Sequence, residues 1–149
     1  MDYEIAKHDI EKMIANSKDS KVLKKVVDYL YENFERYSWV GIYIVRGKDL
    51  ILGPWNGEHA TEHTSIPIGK GICGCAAESG RTELISDVNE DRRYLACFVS
   101  TRSEIVVPIK KNEKVIGEID IDSDKKNAFT KKDKVFLVKI ATYLKDFIE

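Results

Sequence analysis

The sequence predicts an α+β fold in which helices flank a central antiparallel sheet of about five or six strands. Two features carry the prediction. Apolar residues follow helical spacing near both ends of the chain, and between them lie segments with a two-residue period separated by turn residues. With 149 residues, 43% of them hydrophobic, the chain is long enough for one well-buried core and too short for two ordinary domains. Residues 1–149 are therefore read as a single domain.

The elements follow in order. Ile5, Ile10, Met13 and Ile14 fall at loosely helical spacing before a break at Ser17-Lys18-Asp19. Ser20 is placed to cap a second helix, in which Leu23, Val26, Val27, Leu30 and Phe34 form the stripe of a helix packed on a sheet. From Trp39 the period changes to two. Trp39 to Val45 reads as a strand, Arg46 to Asp49 as a hairpin turn, and Leu50 to Leu52 as the partner strand, ended by Gly53-Pro54. Thr64 to Ile68 is a further strand leading through Gly69-Lys70-Gly71 into a short helix from Ile72 to about Ser79, which Gly80 terminates. Glu83 to Ser86 is a short strand. Asp87 to Arg102 is a long polar connection with a turn of helix expected at Arg92 to Ala96, and long connections in compact domains often carry function. Glu104 to Ile109 and Val115 to Ile121 pair about the turn Lys111-Asn112-Glu113. Thr130, with Asp133 three residues on, opens the last helix, whose Leu137, Ile140, Ala141 and Leu144 share one side.

Charge and cysteine content narrow the function classes. Lys and Arg total 24 against 25 for Asp and Glu, a net charge of −1, so no global field draws in nucleic acid or an anionic membrane. A small molecule is the expected partner. No apolar run approaches the roughly 18 residues of a transmembrane helix. The opening Met1-Asp2-Tyr3-Glu4 enters a charged amphipathic segment rather than an apolar leader, and three cysteines are an odd number. These features predict a soluble, cytoplasmic protein with reduced thiols.

Cys73 stands where Gly69-Lys-Gly71 gives way to a helix, and unpaired N–H groups at a helix start lower a thiol pKa. The alternative is a small apolar residue filling that helix start. Cys75 is two positions on, about 200° around the helix, so the two sulfurs face opposite ways and Cys75 reads as core filler. Cys97 lies in the long connection behind Arg92 and Arg93, cations that stabilise a thiolate if they approach it. Leu95, Cys97 and Val99 pinning the loop down is the competing account.

Asp120 and Asp122 alternate with Ile119 and Ile121, so the carboxylates share one strand face and the isoleucines take the core face. Such a face is commonly solvated. If it closes a pocket with Glu104 from the neighbouring strand, crowding and burial raise at least one carboxyl pKa. The group then suits binding an ammonium or holding a proton for donation. Trp39, Gly41 and Tyr43 share a strand face, and two aromatics about a glycine gap form either a slot suited to a methyl-sulfur group or packing under a helix. His59 and His63 fall in a loop, and a zinc site with Cys73 and Cys75 lacks paired-ligand spacing. Gly69-Lys70-Gly71 suits a carboxylate at the helix start but lacks the full phosphate-loop pattern.

Taken together, Trp39-Val-Gly-Ile-Tyr43, Leu52-Gly-Pro54, Ile66-Pro-Ile-Gly-Lys-Gly-Ile-Cys-Gly74, Asp87-Val88, Ala96-Cys97, Ser103-Glu-Ile-Val-Val-Pro108 and Gly117-Glu-Ile-Asp-Ile-Asp-Ser123 resemble the free methionine-R-sulfoxide reductases, stand-alone GAF domains. The resemblance spans about Trp39 to Asp133. It implies a GAF-like sheet, commonly a homodimer, and reduction of the free amino acid sulfoxide with no bound cofactor or metal, the electrons coming from an external dithiol such as thioredoxin. The family's nucleophile falls on Cys97 and its glycine-flanked cysteine on Cys73, the resolving thiol. Its pocket residues fall on Trp39, Tyr43, Glu104, Asp120 and Asp122. Two positions depart from the family. A third cysteine is replaced here by the stretch Thr61-Glu62-His63, which leaves resolution to Cys73 or Cys75, and Phe98 stands where Asp commonly follows the nucleophile. The alternative function is a non-catalytic GAF sensor of a cyclic nucleotide or of redox state.

Overall fold

The computed structural model describes residues 1–96, 98 and 100–149 of the chain. Six strands form one sheet: β1 (Trp39–Arg46), β2 (Asp49–Gly57), β3 (Ser65–Pro67), β4 (Glu83–Ile85), β5 (Ser103–Lys111) and β6 (Lys114–Ser123). Their order is β3-β2-β1-β6-β5-β4, and every neighbouring pair is antiparallel. Helices α1 (Tyr3–Ala15), α2 (Lys21–Asn33), α3 (Gly71–Ser79) and α4 (Lys131–Leu144) complete the expected α+β arrangement. Among the described residues no helix is long and apolar enough to cross a membrane.

The two-residue period of the strands sorts side chains onto two faces. Val40 and Ile42 of β1, Ile105, Val107 and Ile109 of β5, and Ile119 and Ile121 of β6 are buried with the apolar stripes of α1, α2 and α4. Trp39 and Tyr43 of β1 and Val106 of β5 alternate to the other face, where Ile72, Cys73, Ala76 and Ala77 of α3 pack with them. The three helices expected from periodicity near the chain ends thus cover one side. The short internal helix covers the other, and with it the acidic positions of β6.

Several boundaries differ from the sequence expectation, each for a local reason. Asp2 caps α1 by accepting from the N–H groups of Glu4 and Ile5 at 2.8 and 3.1 Å. Ser20 occupies the cap position of α2 without a capping bond, and Asp19 Oδ1 accepts from Lys21 N–H at 3.0 Å instead. Thr130 and Asp133 form the capping box expected at α4. β2 continues through Gly53-Pro54 to Gly57: Tyr43 faces Leu52 but Gly41 faces Trp55, so β2 carries one extra residue there. Such a bulge interrupts the ladder and admits a proline that has no N–H to give. Asn112 and Glu113 both have positive φ, 53° and 66°, the two-residue hairpin that joins twisted strands most directly. The turn of helix expected at Arg92 to Ala96 is absent. A 3-10 turn forms at Val88–Glu90 instead, where the Asp87 side chain accepts from Asn89 N–H at 3.1 Å.

Candidate active site

β6 runs between β1 and β5, and its register assembles the site. Asp122 lies opposite Glu104 of β5 and Trp39 of β1, Asp120 opposite Val106 and Gly41, and Glu118 opposite Pro108 and Tyr43. The pleat sends all of these toward α3. An alternating acidic strand face is commonly solvated. Here Glu104, Glu118, Asp120 and Asp122 are 3%, 0%, 1% and 2% exposed.

Cys73, in the first turn of α3, points into this cluster. Its thiol lies 3.9 Å from Glu104 Oε2, and Cys73 Sγ, a Glu104 oxygen and an Asp120 oxygen are all within 4.8 Å of one another. Among the described residues this is the group compact enough to hold a cation, whether an ammonium or a metal ion. His59 pairs with Glu58 at 3.7 Å and the His63 ring with the Ala96 carbonyl at 3.2 Å, so neither joins it. Cys75 is half-buried, and its thiol is directed to the Gly69 carbonyl at 3.7 Å. The two α3 sulfurs therefore face apart, as their spacing predicts. Gly74 explains how α3 comes so close to the strand before it: a Cβ there would stand 2.6 Å from the Pro67 carbonyl oxygen.

The electrostatics follow from burial. With every carboxyl ionised, Asp120 Oδ1 and both oxygens of Asp122 and Glu118 have no hydrogen-bond partner among the described residues, and protons held within the cluster supply donors. Glu104 is raised well above the ordinary carboxyl range, first by burial, then by negative Asp120 and Asp122, and by the hydrogen bonds its protonated form makes to them. Burial raises Asp122 and Glu118 in the same way, with Asp120 adding to both. Asp120 is also raised by burial, but bonds from Glu104 and Cys73 favour its charged form. Within the cluster, hydrogen bonding favours the protonated form of Glu104 and the charged form of Asp120.

Cys73 corrects the sequence expectation. A helix start lowers a thiol pKa, yet burial, reinforced by Asp120, Glu118, Glu104 and Asp122 in that order, pushes Cys73 well up. Burial and four surrounding acids outweigh one helix terminus. Arg93 is a second correction. Its guanidinium forks onto Glu83 (2.8 and 3.1 Å) and Asp91 (2.8 and 3.0 Å), so it is committed to tying the connection to β4 and is not free for a thiolate. Arg92 is exposed. Cys97, the other predicted site cysteine, lies outside the described residues.

Raised carboxyls give this fold an unusual pH dependence. A group whose folded pKa is raised stabilises below its unfolded pKa, about 4 for a carboxyl, and that stability is lost as pH climbs through the folded value. The expected result is a stability that falls as pH rises above about 5, by about 1.4 kcal/mol per pH unit for each proton held more tightly in the fold, read as a falling melting temperature. Thermal melts across that range check it. A flat or rising profile would contradict the proton-holding cluster.

An aromatic wall closes the other side. Trp39 stacks on Trp55 (centroids 6.1 Å apart, planes at 14°) and is tilted against Phe98 at 5.8 Å. Its buried indole N–H has no partner. Tyr43 donates to the His63 carbonyl at 2.7 Å. The indole lies over Gly41 and against Gly57, and a Cβ at either position would collide with it. Gly41→Ala is expected to displace the ring, costing about 1–3 kcal/mol of stability and raising KM more than it lowers kcat; melts and steady-state kinetics separate the two. Glu118, Trp55 and Phe98 were not among the predicted site residues. The parity that grouped Asp120 with Asp122 also contains Glu118, whereas no local signal marked Trp55 or Phe98.

Cavities of about 60 Å³ beside Trp39, Phe98 and Asp122 and about 10 Å³ beside Cys73 and Glu104 flank the cluster. Both are far below the ~300 Å³ of a small ligand pocket. A cavity of about 700 Å³ between α1 and α4 contains none of the predicted site residues.

Residues 20–149 match the model of the GAF domain family. Among curated proteins, the chain is similar to the free methionine-R-sulfoxide reductase of Escherichia coli, 35% identical over 115 residues, covering 77% of this chain and 68% of that protein. Among solved structures it is similar to a free methionine-R-sulfoxide reductase from Neisseria meningitidis in complex with its substrate, with a TM-score of 0.92, 34% identity and coverage of 98% and 87%. It is also similar to a type II enzyme of that name from Thermoplasma acidophilum, with a TM-score of 0.84, 40% identity and coverage of 87% and 91%.

Proposed function

We propose a mechanism for a chain that belongs to the free methionine-R-sulfoxide reductases, enzymes of the GAF domain family: it reduces free methionine-R-sulfoxide to methionine, with Cys97 as the attacking thiolate. The Cys97 sulfur attacks the sulfoxide sulfur while Glu104 gives its proton to the oxygen. The substrate's S–O bond breaks as the hydroxyl passes to the Cys97 sulfur, the transient bond between the two sulfurs breaks with its electron pair going to the departing methionine, and Cys97 is left as a sulfenic acid. The Cys73 thiol attacks that sulfur, expelling water and forming a disulfide, which an external dithiol of the thioredoxin type reduces.

The observation that carries this reading is the buried carboxyl cluster, in which burial and the neighbouring acids raise Glu104 well above its ordinary range beside Asp120 and the Cys73 thiol. A sulfoxide oxygen needs a proton donor as its bond to sulfur weakens, and a carboxyl that keeps its proton at neutral pH is one. Asp120 and Asp122 then hold the free α-ammonium, and Trp39 and Tyr43 wall the methyl-sulfur end. A peptide-bound sulfoxide offers an amide nitrogen instead and gains nothing from that negative charge.

Residues 1–149 act as one unit in this reading, in the cytoplasm and as a homodimer. Val135 (72% exposed) and Ile5 (57%) on the outer faces of α4 and α1 are apolar side chains available for such pairing. The deciding assay supplies dithiothreitol with free R-sulfoxide, free S-sulfoxide and N-acetylated R-sulfoxide. Methionine is expected from the free R epimer alone. Binding of a cyclic nucleotide with no turnover of any sulfoxide would favour the sensor reading.

A further inference from the structure

Three metal-ligating side chains that the sequence keeps far apart meet between α3 and the sheet. Cys73 comes from the first turn of α3, Glu104 from β5 and Asp120 from β6, one diagonal step from Glu104, whose direct partner is Asp122. Cys73 Sγ, a Glu104 oxygen and an Asp120 oxygen all lie within 4.8 Å of one another, and the sulfur is 3.9 Å from Glu104 Oε2. Zinc–sulfur and zinc–oxygen bonds of about 2.3 and 2.0 Å at a tetrahedral angle hold two ligand atoms roughly 3.5 Å apart, so closing on one ion moves each side-chain tip by about 1 Å or less. Cys73 is only 6% exposed. A second observation points to a cation at this place. Asp120 Oδ1 and both oxygens of Asp122, on the same buried strand face, have no hydrogen-bond partner among the described residues, and buried acceptors left so are costly. The sulfur selects which cation. An ammonium draws on the oxygens alone, and Mg²⁺ and Ca²⁺ take shells of oxygen, whereas a thiolate is a ligand of Zn²⁺ and its soft relatives. With an oxygen of Asp122 or of water in the fourth position, the set is one that four-coordinate Zn²⁺ accepts.

We propose that Cys73, Glu104 and Asp120 form a binding site for a four-coordinate, thiophilic divalent cation such as Zn²⁺, and that the bound ion holds the chain inactive. The second part rests on the reading of Glu104 as proton donor and Cys73 as resolving thiol. The ion is a reversible inhibitor and not a resident cofactor. On binding, one metal–sulfur bond and the metal–oxygen bonds form, protons carried by the ligands leave to buffer, and nothing is oxidised or reduced, so removing the ion restores the thiol and the carboxyls. While the ion is held, Glu104 has no proton to give to a sulfoxide oxygen, the Cys73 sulfur is engaged, and the dication repels the substrate's α-ammonium from Asp120 and Asp122. No ligand spacing in the sequence announces the site, because each ligand comes from a different element. Cys75, two positions from Cys73, is turned to the Gly69 carbonyl and takes no part.

The test uses the reduced full chain, freed of reductant and metal under anaerobic conditions. Zn²⁺ is titrated against a chromophoric chelator, and X-ray absorption fine structure is recorded on the loaded protein. One ion per chain is expected, with one sulfur at about 2.3 Å and oxygens at about 2.0–2.2 Å. Absence of binding, or a shell of nitrogen and oxygen without sulfur, as an ion on the surface histidines gives, overturns the proposal. Cd²⁺ supplies a second readout, the ultraviolet charge-transfer band from thiolate to metal. That band is expected to persist in Cys75→Ser/Cys97→Ser, which keeps Cys73 as its only thiol, and its loss from the folded variant overturns the proposal. Cys73→Ser, Glu104→Gln and Asp120→Asn are each expected to weaken Zn²⁺ binding by about 100-fold or more, since loss of a residue behind a ligand already costs about 10–100-fold. Unchanged affinity in any of the three overturns the three-residue site. Release of methionine from one equivalent of free methionine-R-sulfoxide, with no added thiol to strip the metal, is expected to slow by about 100-fold at saturating Zn²⁺ and to recover when a chelator is added. Unslowed release with the ion on Cys73 overturns the inhibitory part. A metal-free chain that releases no methionine counts against the reductase reading instead, and the sulfur in the metal shell still decides the zinc site.

Discussion

Replacing Cys97 with serine is expected to lower turnover of free methionine-R-sulfoxide by on the order of ten-thousand-fold or more, the scale seen when a nucleophile is removed from an enzyme that forms a covalent intermediate. A serine hydroxyl stays protonated where a thiol ionises, and the thiolate is the attacking species. The other two cysteines are poor substitutes. Cys73 is pushed well up by burial and by the surrounding acids, so it holds its proton and cannot open the reaction. Cys75 is turned toward the Gly69 carbonyl, away from the carboxyl cluster. Steady-state assay with dithiothreitol, followed by mass spectrometry of the quenched protein, is the check. A Cys97→Ser protein with normal turnover would transfer the nucleophile's role elsewhere.

Glu104→Gln is expected to lower kcat/KM by about 100-fold to 1000-fold, the range associated with losing a positioned proton donor or a hydrogen bond made in the transition state. Its fold should be no less stable at neutral pH. Gln fills the same volume and still donates a hydrogen bond to Asp120 and Asp122, while removing a group that burial raises well above its ordinary range. Kinetics and stability thus separate: activity collapses while the melting temperature holds, and the fall in melting temperature toward alkaline pH becomes shallower. Asp122→Asn provides the contrast. Loss of an oxygen that accepts from the substrate's ammonium raises KM in larger proportion than it lowers kcat. Equal kinetic effects from the two substitutions would mean that donor and anchor are not distinct residues.

How far the site could be read from sequence depended on the range of the interactions concerned. Alternation in Ile119-Asp120-Ile121-Asp122 was enough to place the carboxyls on one face and the isoleucines in the core, because strand parity is local and the opposing helices fixed which side was apolar. Parity does not say what covers a face. The cover comes from α3, more than 40 positions earlier in the chain, and burial by that helix turned a commonly solvated acidic face into a proton-holding cluster. The same distance reversed the expectation for Cys73, where a local helix start pointed one way and acids from β5 and β6 pointed the other. Arg93 is the surface counterpart. Its charge is plain in the sequence, but Glu83 on β4 and Asp91 consume it through four hydrogen bonds. Capping at Thr130 and Asp133 was legible because both partners lie within one turn. Ser20 stands at the cap position of α2 as expected, but its backbone is already helical there and makes no capping bond, and the neighbouring Asp19 accepts from Lys21 N–H instead.

The indole of Trp39 lies over Gly41 and against Gly57, two glycines on adjacent strands, and occupies the volume that their side chains would take. Evolution therefore cannot sample these three positions one at a time. A lineage that enlarges either glycine must first give up the large ring at position 39, and a lineage that shrinks position 39 frees both glycines to diverge, because substitutions that share one volume are strongly non-additive. The three residues form a single heritable unit, passed on or lost together, and they carry the aromatic wall beside the carboxyl cluster with them.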